Sequence, residues 1–155
     1  MSMTTNKGEM QVKALRNGTV IDHIPSDKLF KVVSILQLDQ TDQQVTIGYN
    51  LSSRLLGKKG IIKVSEHFLE EQELNRISLI APNAKINIIR DYEVVEKRTI
   101  GLPQEIHGIV KCVNPKCITN NEPMMQRYTV VSKDPIVLKC HYCEREMSQD
   151  EIKLL

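Results

Sequence analysis

Four cysteines constrain this chain more than any other feature, because all of them fall in its last third and in two close pairs. Cys112 and Cys117 bracket Val-Asn-Pro-Lys, Cys140 and Cys143 bracket His-Tyr, and 22 residues separate Cys117 from Cys140. Each short loop can aim two sulfurs at one point, and a hairpin between the loops can bring them together. That is the geometry of a tetrahedral four-thiolate metal site. Two other chemistries use paired cysteines. Two disulfides belong to oxidising compartments, and nothing in the sequence reads as a secretion signal. A redox-active Cys140-x-x-Cys143 normally sits at a strand-to-helix junction. Here the pair follows a strand, and Cys112 and Cys117 would be left unexplained.

His107 and His141 lie close by, but four thiolates already complete a coordination shell, so both are read as bystanders. A closed shell leaves no position for water or substrate. The metal, expected to be one Zn²⁺ per chain, is therefore structural and not catalytic. The segment it would hold is about 45 residues, too small to bury a sufficient core alone. Metal binding and folding should be coupled there.

About 100 residues remain for a second unit. The formal net charge of +2 demands no nucleic acid, and the lysines are spread along the chain. Aromatic residues are scarce: Phe30, Phe68, four tyrosines and no tryptophan. A base-stacking sheet would want more. No apolar run approaches the ~20 residues of a membrane span. The expectation is a cytoplasmic chain with no membrane contact.

Residues 1–8 are small and polar and are expected to form a flexible tail. Gln11–Arg16 alternates as a strand, Asn17-Gly18 bends it, and Thr19–Ile21 resumes it until Pro25. Ser26 caps a helix in which Leu29, Phe30, Val33 and Leu36 recur at helical spacing, running to about Leu38. Val45–Leu51 alternates as a strand, Ser52–Gly60 reads as a loop, and Gly60–Val64 as a short strand. Glu70–Ile80 is predicted helical, with Leu69, Leu74, Ile77 and Ile80 inward and acids in its first turn. Strands follow over Ala84–Ile89 and Tyr92–Lys97. This order is a split βαβ pattern. It predicts an α+β fold: a ferredoxin-like antiparallel sheet with two helices on one face and one added strand. Gly101 and Pro103 mark a linker. Beyond it, Ile106–Lys111 and a hairpin of Arg127–Ser132 with Ile136–Lys139 carry the cysteine loops in a small all-β, zinc-ribbon-like domain. The expected division is 1–8, 9–100 and 101–155.

The first domain shows no nucleophile–base–acid set and no Walker or Rossmann glycine loop. Its polar groups are distributed: Asp22 and His23 end the first strand, Lys59 and Lys63 flank the third, and Asn87, Tyr92 and Lys97 belong to the last hairpin. Lysines with a histidine suit a polyphosphate. Spacing alone favours the plainer reading, in which each is an ordinary surface residue.

Several segments together resemble the regulatory chains of aspartate carbamoyltransferase. They are Val20-Ile-Asp-His-Ile-Pro25, Thr46-Ile-Gly-Tyr-Asn-Leu51, Lys58-Lys-Gly-Ile-Ile-Lys63, Ala81-Pro-Asn-Ala84, Asn87, Asp91-Tyr-Glu-Val-Val95 with Lys97, and the four-cysteine ending. The likeness runs in order from about Gln11 to Glu146. It implies a non-catalytic subunit whose first domain, 9–100, is allosteric and binds CTP as inhibitor and ATP as activator, with UTP a further candidate. It implies a zinc domain, 101–155, that docks on the catalytic chain, and regulatory dimers that bridge catalytic trimers. By the resemblance, His23, Lys63 and Lys97 face ribose and phosphates, and Asp22 neighbours the ribose. Leu15, Ile89, Tyr92 and Val94 shape the base pocket. Asn87 lies near sugar and base, Lys59 is a looser neighbour, and Cys112, Cys117, Cys140 and Cys143 hold the zinc. The competing reading is a zinc-ribbon nucleic-acid-binding protein, which would need a basic face with exposed aromatics. Asn120-Asn-Glu-Pro-Met-Met125 between the knuckles reads as a protein-contact loop instead.

Overall fold

The computed structural model describes residues 15–155. The tail expected over residues 1–8, and all but the end of the strand expected over Gln11–Arg16, lie outside the described residues. The described chain falls into two compact units that do not follow chain order. One comprises residues up to Glu70 together with Asn83–Ile100, and the other Glu71–Pro82 with Gly101–Leu155.

The first unit is a five-stranded antiparallel sheet of β1 (Gly18–Pro25), β2 (Val45–Ser53), β3 (Gly57–Ser65), β4 (Lys85–Arg90) and β5 (Glu93–Thr99) in the order β2-β3-β1-β4-β5. The first four strands have the order of a ferredoxin-like sheet, and β5 adds an edge. The alternation dictates its two faces. Ile47, Ile62, Ile21 and Ile86 stand in one cross-strand row, with Ile21, Ile62 and Ile86 essentially inaccessible. Helix α1 (Leu29–Ile35) belongs to this unit. It buries Leu29 and Val32, and the Leu29 side chain lies so close to Gly60 that a Cβ there would meet it at 2.7 Å. Burial of each such isoleucine or leucine is worth roughly 1.5–3 kcal/mol.

The predicted helix to Leu38 stops early. α1 ends at Ile35, because Gln37 turns left-handed (φ 53°) and a 3₁₀ turn over Leu38–Gln40 follows. Phe30 does not point inward. It is 60% exposed and tilts against Tyr49, while the buried spacing is Leu29, Val32, Leu36. The loop expected over Ser52–Gly60 is also shorter. β2 and β3 form one long hairpin, since Lys58 and Lys59 continue the alternation opposite Ser52 and Leu51.

Gly18 is required where β1 begins. Its φ is +147°, and a Cβ would stand 2.1 Å from the Val64 carbonyl oxygen. A Gly18→Val variant combines backbone strain with overpacking, so a loss of roughly 2–6 kcal/mol is expected. Denaturant unfolding measures it, and an unchanged midpoint would contradict the argument.

In the second unit, α2 (Glu71–Ile80) buries Leu74, Ile77, Ser78 and Leu79, whereas Leu69 and Ile80 are only partly covered. β6 (Glu105–His107), β7 (Val110–Lys111), β8 (Arg127–Lys133), β9 (Ile136–Cys140), β10 (Glu146–Ser148) and β11 (Lys153–Leu154) follow. They form a sheet ordered β10-β9-β8-β6 and a separate β11-β7 ladder. The segment Ile106–Lys111 that leads into the first cysteine loop holds parts of two strands, separated at Gly108 (φ +71°). Leu79, Leu102, Ile106, Ile109, Tyr128 and Leu138 pack around the cysteines, and the Tyr128 hydroxyl donates to the Val110 carbonyl at 3.1 Å.

Candidate functional site

The sheet of the first unit has an open face opposite its isoleucine rows. Pairing sets Thr46 beside Lys63, Lys63 beside Val20, Val20 beside Asn87, and Asn87 beside Lys97. Directly opposed residues share a face, so Lys63, Asn87 and Lys97 stand in one row across four strands. The neighbouring positions place Ser65 and Ile89 on either side of Gly18, with Val94 opposite Ile89. Lys63 is half-buried, Lys97 is exposed on the edge strand, and Ile89 is buried.

A recess of about 210 Å³ opens at the upper end of this face, lined by Leu15, Arg16, Gln44, Thr46, Lys63, Ser65 and Tyr92. Tyr92 is 66% exposed and is held by its φ of 68° and by its amide, which donates to the Arg16 carbonyl at 2.9 Å. Leu15, Lys63 and Tyr92 were singled out in the sequence. Arg16, Gln44, Thr46 and Ser65 were not. Alternation would have found Thr46 and Ser65 once Lys63 was chosen, since one opposes it and the other is two residues on. Arg16 and Gln44 carry no such signal, because they lie outside the strands.

Asp22, His23 and Lys59 form their own cluster at the far end of β1. The β1–β3 register slips between Ile21 and Ile24, and His23 takes a left-handed φ of 59° in that bulge. The Asp22 carboxylate accepts from the His23 backbone N–H at 2.6 Å and pairs with Lys59 Nζ at 2.9 Å. The His23 Nδ1 lies 3.6 Å from the same oxygen, too far for a hydrogen bond, and is buried without a partner. Asp22 thus fixes the bulge and one lysine. None of the three lines the recess, although Asp22 lies on the open face two residues from Val20, about 6.8 Å along the strand.

In the second unit the four cysteine sulfurs converge, all within 4.8 Å of one another. Cys112 Sγ and Cys143 Sγ are 3.7 Å apart, as are Cys117 Sγ and Cys140 Sγ. A tetrahedron of 2.3 Å metal–sulfur bonds has edges of roughly 3.8 Å, so the sulfurs already stand at ligand spacing. Convergence of all four is what a metal needs and what a lone redox pair would not.

The first loop is tied by amide side chains. Asn120 Nδ2 donates to the Cys112 and Asn114 carbonyls, and Asn121 Nδ2 to those of Pro115 and Cys117. The Thr119 hydroxyl donates to Cys117 Sγ at 3.2 Å. Burial pushes the Cys112 thiol up to about 12, and raises Cys140. Burial also works upward on Cys143, yet the Arg145 backbone N–H and its polar neighbours bring it down to about 7. The Cys112 and Cys140 thiols stay protonated near neutrality unless a cation displaces their protons. His107 faces Glu105 at 3.6 Å and His141 packs edge-on to Tyr142. Among the described residues no histidine joins the cluster.

These features define a class. It is a metal-binding protein with two parts, an antiparallel α+β unit with a cationic open sheet face and a small β unit built round four thiols. Residues 10–101 match the family described as aspartate carbamoyltransferase regulatory chain, allosteric domain. Residues 104–153 match the corresponding metal binding domain. The regulatory chain of Phocaeicola vulgatus is 60% identical over the full length of both chains. That of Bacteroides thetaiotaomicron is 59% identical over 99% of this chain and 100% of its own. That of Pyrococcus abyssi is 49% identical over 93% of this chain and 96% of its own. The chain belongs to the aspartate carbamoyltransferase regulatory chains. Among the described residues no helix is long and apolar enough to cross a membrane.

Proposed function

We propose that this chain is the non-catalytic, cytoplasmic regulatory subunit that sets the activity of an aspartate carbamoyltransferase in response to nucleoside triphosphates. CTP acts as inhibitor and ATP as activator, with UTP a further effector. The observation that carries the reading is the row of Lys63, Asn87 and Lys97 across the open sheet face beside a recess edged by Tyr92. Two ammonium groups and an amide suit phosphates and a sugar, and Leu15, Ile89, Tyr92 and Val94 offer apolar and backbone surface to a base. Asp22, His23 and Lys59 form an ordered polar group farther along the same strand, within reach of an extended triphosphate nucleoside. In this reading 9–100 is the effector domain, and 101–155 holds one Zn²⁺ on Cys112, Cys117, Cys140 and Cys143 and docks on the catalytic chain. Zinc fits best because four thiolates at tetrahedral spacing suit a soft-tolerant ion without redox chemistry. The subunit pairs as a dimer that bridges catalytic trimers.

Regulation requires only that nucleotides bind one quaternary state better than the other, and coupling of about 1–3 kcal/mol is usual. CTP and ATP share the triphosphate, so their opposite effects arise from base size and from how the pocket shifts the dimer. The test is reconstitution. The zinc-loaded chain is mixed with the catalytic trimer of its own organism, assembly is followed by mass, and aspartate saturation is recorded with and without each nucleotide. A larger complex with a shifted curve supports the reading. Assembly without any shift would remove the allosteric role.

A further inference from the structure

The β7–β11 ladder sets Lys153 directly opposite Lys111. Like charges opposed on an antiparallel pair are destabilising, with Cβ atoms only about 4.5–5.5 Å apart. The ladder is two residues long on each strand, so it has little else to offset that repulsion. Among the described residues neither lysine has an ion-pair partner. Between them opens a recess of about 420 Å³, completed by Cys112, Val113, Pro115 and Asn120. The Asn120 amide nitrogen is committed to the Cys112 and Asn114 carbonyls. The two ammonium groups are therefore the charged donors available to an occupant, and Val113 and Pro115 are its apolar wall.

We propose that this recess is a carboxylate-binding site that takes an acidic side chain, glutamate in preference to aspartate, from the surface of the catalytic chain. The wall accommodates the methylenes of glutamate, and the opposed ammonium groups take one carboxylate oxygen each. A phosphate would leave Val113 and Pro115 unused and would want more donors than the recess has. The inference rests on the reading that residues 101–155 dock on the catalytic chain.

A rival offset for the lysines exists within the unit. Four thiolates around a divalent cation carry net negative charge, and Lys111 adjoins Cys112. The test separates the two. Assembly of the zinc-loaded chain with catalytic trimer is measured over an ionic-strength series for wild type and for Lys111→Gln/Lys153→Gln, with zinc loss to a chelator followed in parallel. The proposal expects assembly at least tenfold weaker, a flatter salt dependence, and unchanged zinc loss. Equal assembly and equal salt slope overturn it. Faster zinc loss with normal assembly at saturating zinc also overturns it and assigns the lysines to the metal centre. A second measurement does not depend on docking. Glutamyl-glutamate is titrated into the zinc-loaded chain, and the backbone amide resonances of positions 111, 113 and 153 are followed by NMR in wild type and double variant. Shifts in wild type and none in the double variant support the site even where the wild-type chain fails to assemble, a failure that counts against the docking reading itself. No shift in wild type, or tighter binding of inorganic phosphate, overturns the proposal.

Discussion

Replacing Cys140 by serine should abolish stoichiometric metal binding and unfold the second unit. Cys140 is fully buried, and its sulfur stands 3.7 Å from that of Cys117. Serine preserves the shape but offers a hard, poorly acidic oxygen where a thiolate is needed. Apparent binding energies for structural zinc are about 10–16 kcal/mol, as large as the whole stability of a typical domain. The cluster stands within the same core as Leu79, Ile106, Tyr128 and Leu138, so losing the metal leaves that core around three unligated thiols and a serine hydroxyl. Metal content per chain and amide NMR dispersion check the outcome. Resonances from 101–155 and from α2 should collapse together, because residues 71–82 group with that unit. A variant that keeps dispersed spectra without metal would refute the structural role.

Acid should produce the same loss in the wild-type chain, and the sign follows from the thiols. Ligation needs thiolates. Burial holds Cys112 at about 12 without a cation, while Cys143 lies at about 7. Loading at neutral pH therefore expels protons, and falling pH returns them. Stability contributed by the metal is present at neutral and higher pH and is lost on acidification.

Lys63→Ala should weaken CTP and ATP together, by about 30-fold or more. Lys63 stands half-buried at the centre of the cross-strand row and lines the recess. Truncating one partner of a partly desolvated charge pair costs about 2–5 kcal/mol, and 1.4 kcal/mol is tenfold. Lys97 lies exposed on the edge strand, where a charge contributes about 1 kcal/mol or less. Lys97→Ala should therefore weaken both nucleotides about fivefold. Calorimetric titration of each variant with each nucleotide reads both effects. Phosphates are common to CTP and ATP, so parallel losses are expected. A Lys63 variant that loses only one nucleotide would place this lysine against the base, and unchanged affinity for both would remove the phosphate assignment.

The sequence by itself determined the alternations that became β1 to β5, the helical spacing of α2 and the two cysteine loops. These are local patterns, because side-chain period and ligand spacing are written over a few residues. Family likeness was legible for the same reason, being carried by short segments in a preserved order. Other features were decided only in three dimensions. Phe30 fits the helical spacing as well as Leu29 does, and only the packing of α1 on Gly60 exposes the one and buries the other. The pairing of Asp22 with Lys59 depends on the bulge at His23, which no local pattern announces. Lys63, Asn87 and Lys97 are far apart in sequence and become neighbours through strand register, as do Lys111 and Lys153. Register depends on which strands pair and where bulges fall. Those are long-range choices, made by burying the isoleucine rows, and no short stretch of sequence contains them.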